Sequence, residues 1–242
     1  MNKFTIAIAT ILIAGISSLG FADDTKKKAA TKPEAKTDKK VEPKGEKPKA
    51  SPGWVIIEED WSDPFLDEFA TALHKAREHY RAKEDKSAAA EIDKAISWLK
   101  YAESHATMST AEDLSTAELD LMDYSASLKN GKPVLAKKLD AAFAHASLAL
   151  GKHHYYDSKK AVAQGDLKTA GQHLLAATDL IRNAAQSANL EYGSQLVDID
   201  NDYCPYGYWD DTIVLETSKL EANLTAVKDE LSKLAAKMNP GR

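Results

Sequence analysis

The chain has one cysteine in 242 residues, Cys204. No disulfide can form within it, so the fold has to be stabilised by apolar packing. Long hydrophobic runs are almost absent as well: Phe4 to Ile16 is the longest, at 13 residues, too short to span a bilayer. No transmembrane helix is expected. The sequence also lacks a glycine-rich phosphate cradle, a paired Cys-x-x-Cys and a His-Glu-x-x-His, which removes the phosphate-loop, structural-zinc and zinc-protease readings. Serine, histidine and aspartate are present, but no serine sits in the strained-turn context that exposes a nucleophile. The expectation is a protein that is not an enzyme.

What is present begins with export. Met1-Asn2-Lys3 puts one positive charge before the apolar run, and Ser17 to Ala22 (SSLGFA) places Gly20 and Ala22 where a signal peptidase reads small residues. This predicts a signal peptide over 1–22, cleavage after Ala22, and a periplasmic or secreted protein starting at Asp23. Asp23 to Gly53 then holds ten lysines, six acids and four of the eight prolines, without a single Leu, Ile, Met or aromatic residue. Having nothing to bury, it is expected to be a disordered linker. Ten lysines against six acids give it +4; with Lys3 also set aside, the −5 of the whole chain leaves −10 on residues 54–242. A basic tail on an acidic body predicts a solvated spacer, or one that adheres to an anionic cell-envelope surface. No nucleic-acid partner is expected, because that affinity rests on neutralising phosphates.

Residues 54–242 read as one all-α domain, an up-and-down bundle of about six helices built on antiparallel helical hairpins. Trp54 to Trp61 (WVIIEEDW) is the one early run with strand character, expected to lie extended against the bundle. Asp63-Pro64 opens a first helix carrying Phe65, Phe69, Leu73, Ala76 and Tyr80, and Lys83-Glu84-Asp85 turns the chain into a second, about Lys86 to Ala106. A third helix, with Leu114, Ala117, Leu121, Tyr124 and Leu128, is expected to start from a cap at Ser109/Thr110 and to end at Asn130-Gly131. The fourth runs from Pro133 to Ala163, with Gly151 as a place to bend. It meets the fifth at Gln164-Gly165-Asp166, where glycine and a capping aspartate allow a tight reversal. The second and fifth helices match at a shift of 82: Ala88, Ile92, Ala95, Leu99, Ala102 and Ala106 fall on Ala170, Leu174, Ala177, Ile181, Ala184 and Ala188. Alanines alternating with a larger aliphatic residue are a rule for close helix packing as much as a mark of duplication.

After Leu190 the periodicity fails, and Glu191 to Asp211 is expected to be an irregular loop, the place where a partner or ion would act. From Ile213 to Met238 it returns as a heptad seam, Leu220, Leu224, Val227, Leu231, Leu234 and Met238. Such a seam docks on its own bundle or joins two chains in a coiled-coil homodimer.

Candidate chemistry centres on histidine and aspartate. All seven histidines lie in the helical region, and His145, His153 and His173 would have to converge across the central hairpin to hold a transition metal or haem. No histidine has an acid three or four residues before it, as di-iron bundles require; His74 with Glu78 and His153 with Asp157 offer the reverse spacing. Asp198, Asp200 and Asp202 begin like a calcium loop, but Tyr203 stands where the loop needs glycine and Trp209 where it needs glutamate, so a solvated acidic loop without a cofactor is expected, a non-standard calcium site being the alternative. Cys204-Pro205-Tyr206-Gly207 has the front of a glutaredoxin motif without its second cysteine, and no thioredoxin-type sheet is in prospect. A cysteine within an aromatic lid of Tyr203, Tyr206, Tyr208 and Trp209, or bonded to a second chain, is the expectation there.

The segments LHKAREHYRAKEDKSAAAEIDKAI, AHASLALGKHH and GDLKTAGQHLLAAT, within Phe65 to Ala188, resemble exported bacterial helical proteins and, more distantly, the YfdX family of periplasmic helical proteins associated with stress and acid tolerance. That resemblance implies a non-enzymatic, stress-related role with no established cofactor. The sequence reading is therefore an exported helical binding or scaffold protein, the alternative being a metal or haem carrier.

Overall fold

A computed structural model describes residues 63–204 and 215–238. Within them the chain forms seven helices and no strand: α1 (Asp63–Arg81), α2 (Asp85–His105), α3 (Met108–Lys129), α4 (Ala136–Gln164), α5 (Leu167–Ala188), α6 (Ser194–Tyr203) and α7 (Thr217–Met238). This is an all-α bundle. The expected signal peptide, the lysine-rich linker, the Trp54 to Trp61 segment, Pro205 to Trp209 and Ile213 lie outside the described residues.

The chain reversals follow from their residues. Between α1 and α2, Lys83 takes the left-handed conformation (φ 63°), and its N–H donates to the Tyr80 carbonyl at 3.0 Å. Helix α3 starts from Thr107, whose extended backbone (φ −75°, ψ 160°) makes it the cap residue, slightly before the Ser109/Thr110 start that was expected. It ends as expected at Asn130-Gly131, with Gly131 at φ 64°. The α4–α5 reversal is the one read at Gln164-Gly165-Asp166. Gly165 closes α4 at φ 77°, and an Asp166 carboxylate oxygen accepts from the Thr169 N–H at 3.1 Å, satisfying one of the free donors at the start of α5.

Gly151 is not a bend. Helix α4 runs through it unbroken for 29 residues, because the glycine serves packing: a Cβ there would stand 3.3 Å from the Leu180 Cβ and 3.4 Å from the Ala177 carbonyl oxygen. Together with Ala170, Ala177 and Ala184 on the buried side of α5, it lets the two backbones approach closely, which multiplies dispersion contacts. The matching alanines of α2 (Ala88, Ala95, Ala102) are buried in the same way.

Two apolar cores result. The first is made by α1, α2, α3 and the first half of α4, around Phe69, Trp98, Leu121 and Phe143, with Leu180 of α5. Inside it the Trp98 indole N–H donates to a buried Glu68 carboxylate at 3.2 Å. The second is made by the end of α4 with α5, α6 and α7, around Tyr155, Leu174, Ile181, Ile199 and Val227. Only α4 and α5 contribute to both.

One expectation is corrected here. Within the stretch read as an irregular loop, Ser194–Tyr203 is helix α6, because Leu196, Ile199 and Tyr203, three and four residues apart, bury one face. Of the two readings of the α7 heptad seam, docking on its own bundle is the one observed, with Leu220, Leu224, Val227, Leu231 and Leu234 all buried in the second core.

Candidate functional site

Helix α4 carries two clusters of chemistry on different sides. One side holds His153, His154 and Asp157; the other holds Lys152, Tyr155, Tyr156 and Lys159. At 100° per residue, positions 152, 155, 156 and 159 share one stripe and 154 and 158 another.

The buried side is a histidine cluster. His153 and His154 are both buried, their ring centroids 5.4 Å apart. His154 in turn lies 5.2 Å from the ring of His173 on α5, and the two Nδ1 atoms meet at 2.9 Å. One of those nitrogens must therefore donate and the other accept, so at least one ring is neutral. His153 Nε2 stands 3.2 Å from an Asp157 carboxylate oxygen, and Ser158 nearby donates to the Ala170 carbonyl at 2.6 Å. Burial, with a smaller contribution from His105, lowers the His153 pKa to about 4. Burial and the two neighbouring imidazoles push His154 well below the ordinary value. Burial also lowers His173, against the pull of Asp157, while burial raises Asp157. Desolvation disfavours every charge here.

The open side is a groove of about 760 Å³ between α3, α4 and α7. The floor is apolar, with Ala117, Leu148, Ala149, Leu231 and Ala235. Acids come from α3 (Glu112, Asp113, Asp120) and lysines from α4 and α7 (Lys152, Lys159, Lys228). Lys152 Nζ and Asp113 Oδ2 meet at 2.5 Å, pinning α4 to α3. Tyr155 and Tyr156 stand edge to face with centroids 5.2 Å apart, and Lys159 Nζ lies 5.7 Å from the first ring and 6.0 Å from the second, within cation–π range. Burial raises the Tyr155 phenol, Lys228 opposing, so it keeps its proton as a donor at neutral pH. The aliphatic hydroxyls of the wall are spent on their own helices: Thr116 donates to Glu112 O at 2.8 Å and Ser232 to Lys228 O at 2.9 Å.

The predicted site residues are dispersed. His153 and His173 come into one cluster, joined by His154, which the sequence reading did not single out. His145 lies apart, on the groove wall. The expected three-histidine convergence does not form, and among the described residues no three His, Cys, Asp or Glu side chains stand close enough to hold a metal ion. The calcium-like aspartates are separated by being helical. Asp200 pairs with Arg182, which also holds Asp179, Asp202 pairs with Lys219 at 2.9 Å, and Asp198 is exposed. Two residues along a helix is a rotation of about 200°, so alternate carboxylates point apart. His74 and Glu78 form an exposed helix pair at 3.2 Å. Cys204 packs against the second core, half-buried. No helix of the described residues is long and apolar enough to cross a membrane.

The groove residues went unnoticed because their lysines, acids and tyrosines look like solvated helix surface. The only sequence signal was Tyr155-Tyr156, an aromatic pair in an alanine-rich helix. The chain matches no protein-family model, no curated protein and no solved structure, so the functional reading rests on the two sides of α4.

Proposed function

We propose that this protein is an exported, non-enzymatic helical binding protein of the bacterial cell envelope, and that the groove between α3, α4 and α7 is its ligand site. The observation that carries the reading is the groove itself. Its volume of about 760 Å³ falls within the roughly 300–1,000 Å³ typical of small-molecule sites, and its lining is more charged than most, three acids and three lysines around a narrow apolar bed. The non-enzymatic reading draws support from the wall hydroxyls, since Thr116 and Ser232 donate to backbone carbonyls of their own helices. Export is supported by the signal-type N-terminus, and the +4 linker would hold the acidic body near an anionic surface. A stress-related role accords with the YfdX-like resemblance.

The test is ligand-dependent thermal stabilisation of protein prepared from Asp23 onward, set against Ser232→Trp, which fills the groove from an exposed position on α7. Envelope extracts or amphiphile panels should raise the melting temperature of the parent and leave the filled variant unmoved. Equal stabilisation of both proteins would place the site elsewhere.

A further inference from the structure

We infer that the groove takes an elongated zwitterion with an apolar middle, its ammonium end beside Asp120 and its carboxylate end among Lys159, Lys228 and the Tyr155–Tyr156 pair. The inference rests on the groove being the ligand site and adds the class of ligand.

The order of charges along the groove is the reason. Helices α3 and α4 are joined by a short connection and run antiparallel, and the Lys152–Asp113 contact at 2.5 Å fixes their register. Asp120 lies seven residues beyond Asp113 on α3, and Lys159 lies seven beyond Lys152 on α4. At about 1.5 Å per residue each offset is roughly 10 Å, in opposite directions from the shared contact. The lining is therefore polarised lengthwise: Asp120 level with His145 at one end, a self-neutralised pair in the middle, and Lys159 at the other. Lys228 of α7 lines the same groove and stands within electrostatic reach of the Tyr155 phenol, as does its neighbour Asp229.

The residues available at each end differ in kind. Among the described residues neither Lys159 nor Lys228 is in an ion pair, and Lys159 is held over the two tyrosine rings instead. Asp120 is likewise without a cation in the described residues. Glu112, beside the central pair on α3, adds negative charge to the wall opposite the lysines. A purely anionic amphiphile would meet the α3 acids and a purely cationic one the lysines; one carrying both charges at its ends meets neither mismatch. Between the ends, Ala117, Leu148, Ala149 and Leu231 offer an apolar bed. A chain of ten or so methylenes, or a short apolar peptide with free termini, has the required length and polarity.

The experiment is calorimetric titration of protein from Asp23 onward with three probes of equal length: ω-aminoundecanoate, undecanoate and undecylamine. The zwitterion should bind at least about tenfold more tightly than either singly charged probe, the value of one charge-assisted hydrogen bond. Lys159→Glu with Lys228→Glu should remove that advantage and favour undecylamine, and Asp120→Lys should remove it and favour undecanoate. Tetraleucine, at about 3.4 Å per residue close to the length of ω-aminoundecanoate and with the same terminal charges on a peptide backbone, separates a peptide from an aliphatic source. Undecanoate or undecylamine binding as tightly as the zwitterion would overturn the inference, and so would a preference unmoved by both reversals. Ser232→Trp separates the two claims: if it abolishes binding of every probe while the reversals change nothing, the groove stands and the ligand class falls. If probes bind the filled variant undiminished, the groove itself is not the site.

Discussion

The two sides of helix α4 are built from similar numbers of polar residues and behave oppositely. Towards α5, His153 and His154 are desolvated, so burial strips them of charge. Towards α3 and α7, Lys152 and Tyr156 are half-buried and Lys159 is exposed, all three on the groove wall. The cause is the backbone distance. Gly151 and the α5 alanines bring α4 and α5 into contact, whereas α3 and α7 diverge enough to leave a cleft. A polar residue against a close-packed neighbour is desolvated, and one on a cleft stays within reach of water and of anything that enters the cleft.

If that contrast is right, the largest effect of substitution should fall on the buried side. Leu180→Ala, at a fully buried position facing Gly151, should destabilise by about 3 kcal/mol, within the usual 2–5 for such a deletion. Denaturant midpoints at constant slope measure it, and a loss below about 1 kcal/mol would mean the α4–α5 contact is loose.

Acid should act on the same side with comparable strength. A histidine whose folded pKa lies below its unfolded value of about 6.5 takes up its proton more readily when unfolded. Stability is then complete above pH 6.5 and declines as pH falls towards 4, by about 3 kcal/mol for His153 alone. His154 and His173 shift the same way. Asp157, raised by burial, works against them, since protonation there favours the folded state. The depressed carboxyl of Asp166 loses its contribution only below the ordinary carboxylate range, so the window from pH 6.5 to 4 reports the imidazoles with Asp157 opposing them. Chemical denaturation at several pH values should give this slope, and His153→Gln should flatten it. A profile level from pH 7 to 4 would show that the cluster is hydrated.

A smaller effect is expected at the hairpin tip that sets the α4–α5 approach. Asp166→Ala removes the acceptor for the Thr169 N–H and should cost about 1 kcal/mol, seen as a modest fall in the denaturant midpoint. The smallest belongs to the open side. Lys159→Glu, at an exposed position, should alter stability by less than about 0.5 kcal/mol while changing ligand preference. Destabilisation as large as that of Leu180→Ala would erase the distinction between the two sides.

Much of the bundle was legible because its rules are local. The Gly165-Asp166 reversal, the Asn130-Gly131 stop and the alanine and leucine spacing of α2 and α5 each depend on residues within a few turns of one another. Gly151 misled because a glycine in mid-helix reads as weakness until its neighbour is known; here Leu180 and Ala177 occupy the space a side chain would need. Asp198, Asp200 and Asp202 misled because alternation suggests convergence in a loop and divergence on a helix. Leu196, Ile199 and Tyr203 carried the helical signal, but three apolar residues among acids were too few to stand out.

The amino-acid order by itself determined the helical class, the hairpins, the turns and the apolar stripes, since these follow from backbone preferences and a 3.6-residue period. Tertiary structure decided that His153, His154 and His173 are desolvated together, which carboxylates find a cation, and that residues from α3, α4 and α7 enclose one groove. Those outcomes depend on distances between helices far apart in the chain. Interhelical distance is set by the collective packing of small side chains, which no single stretch of sequence contains.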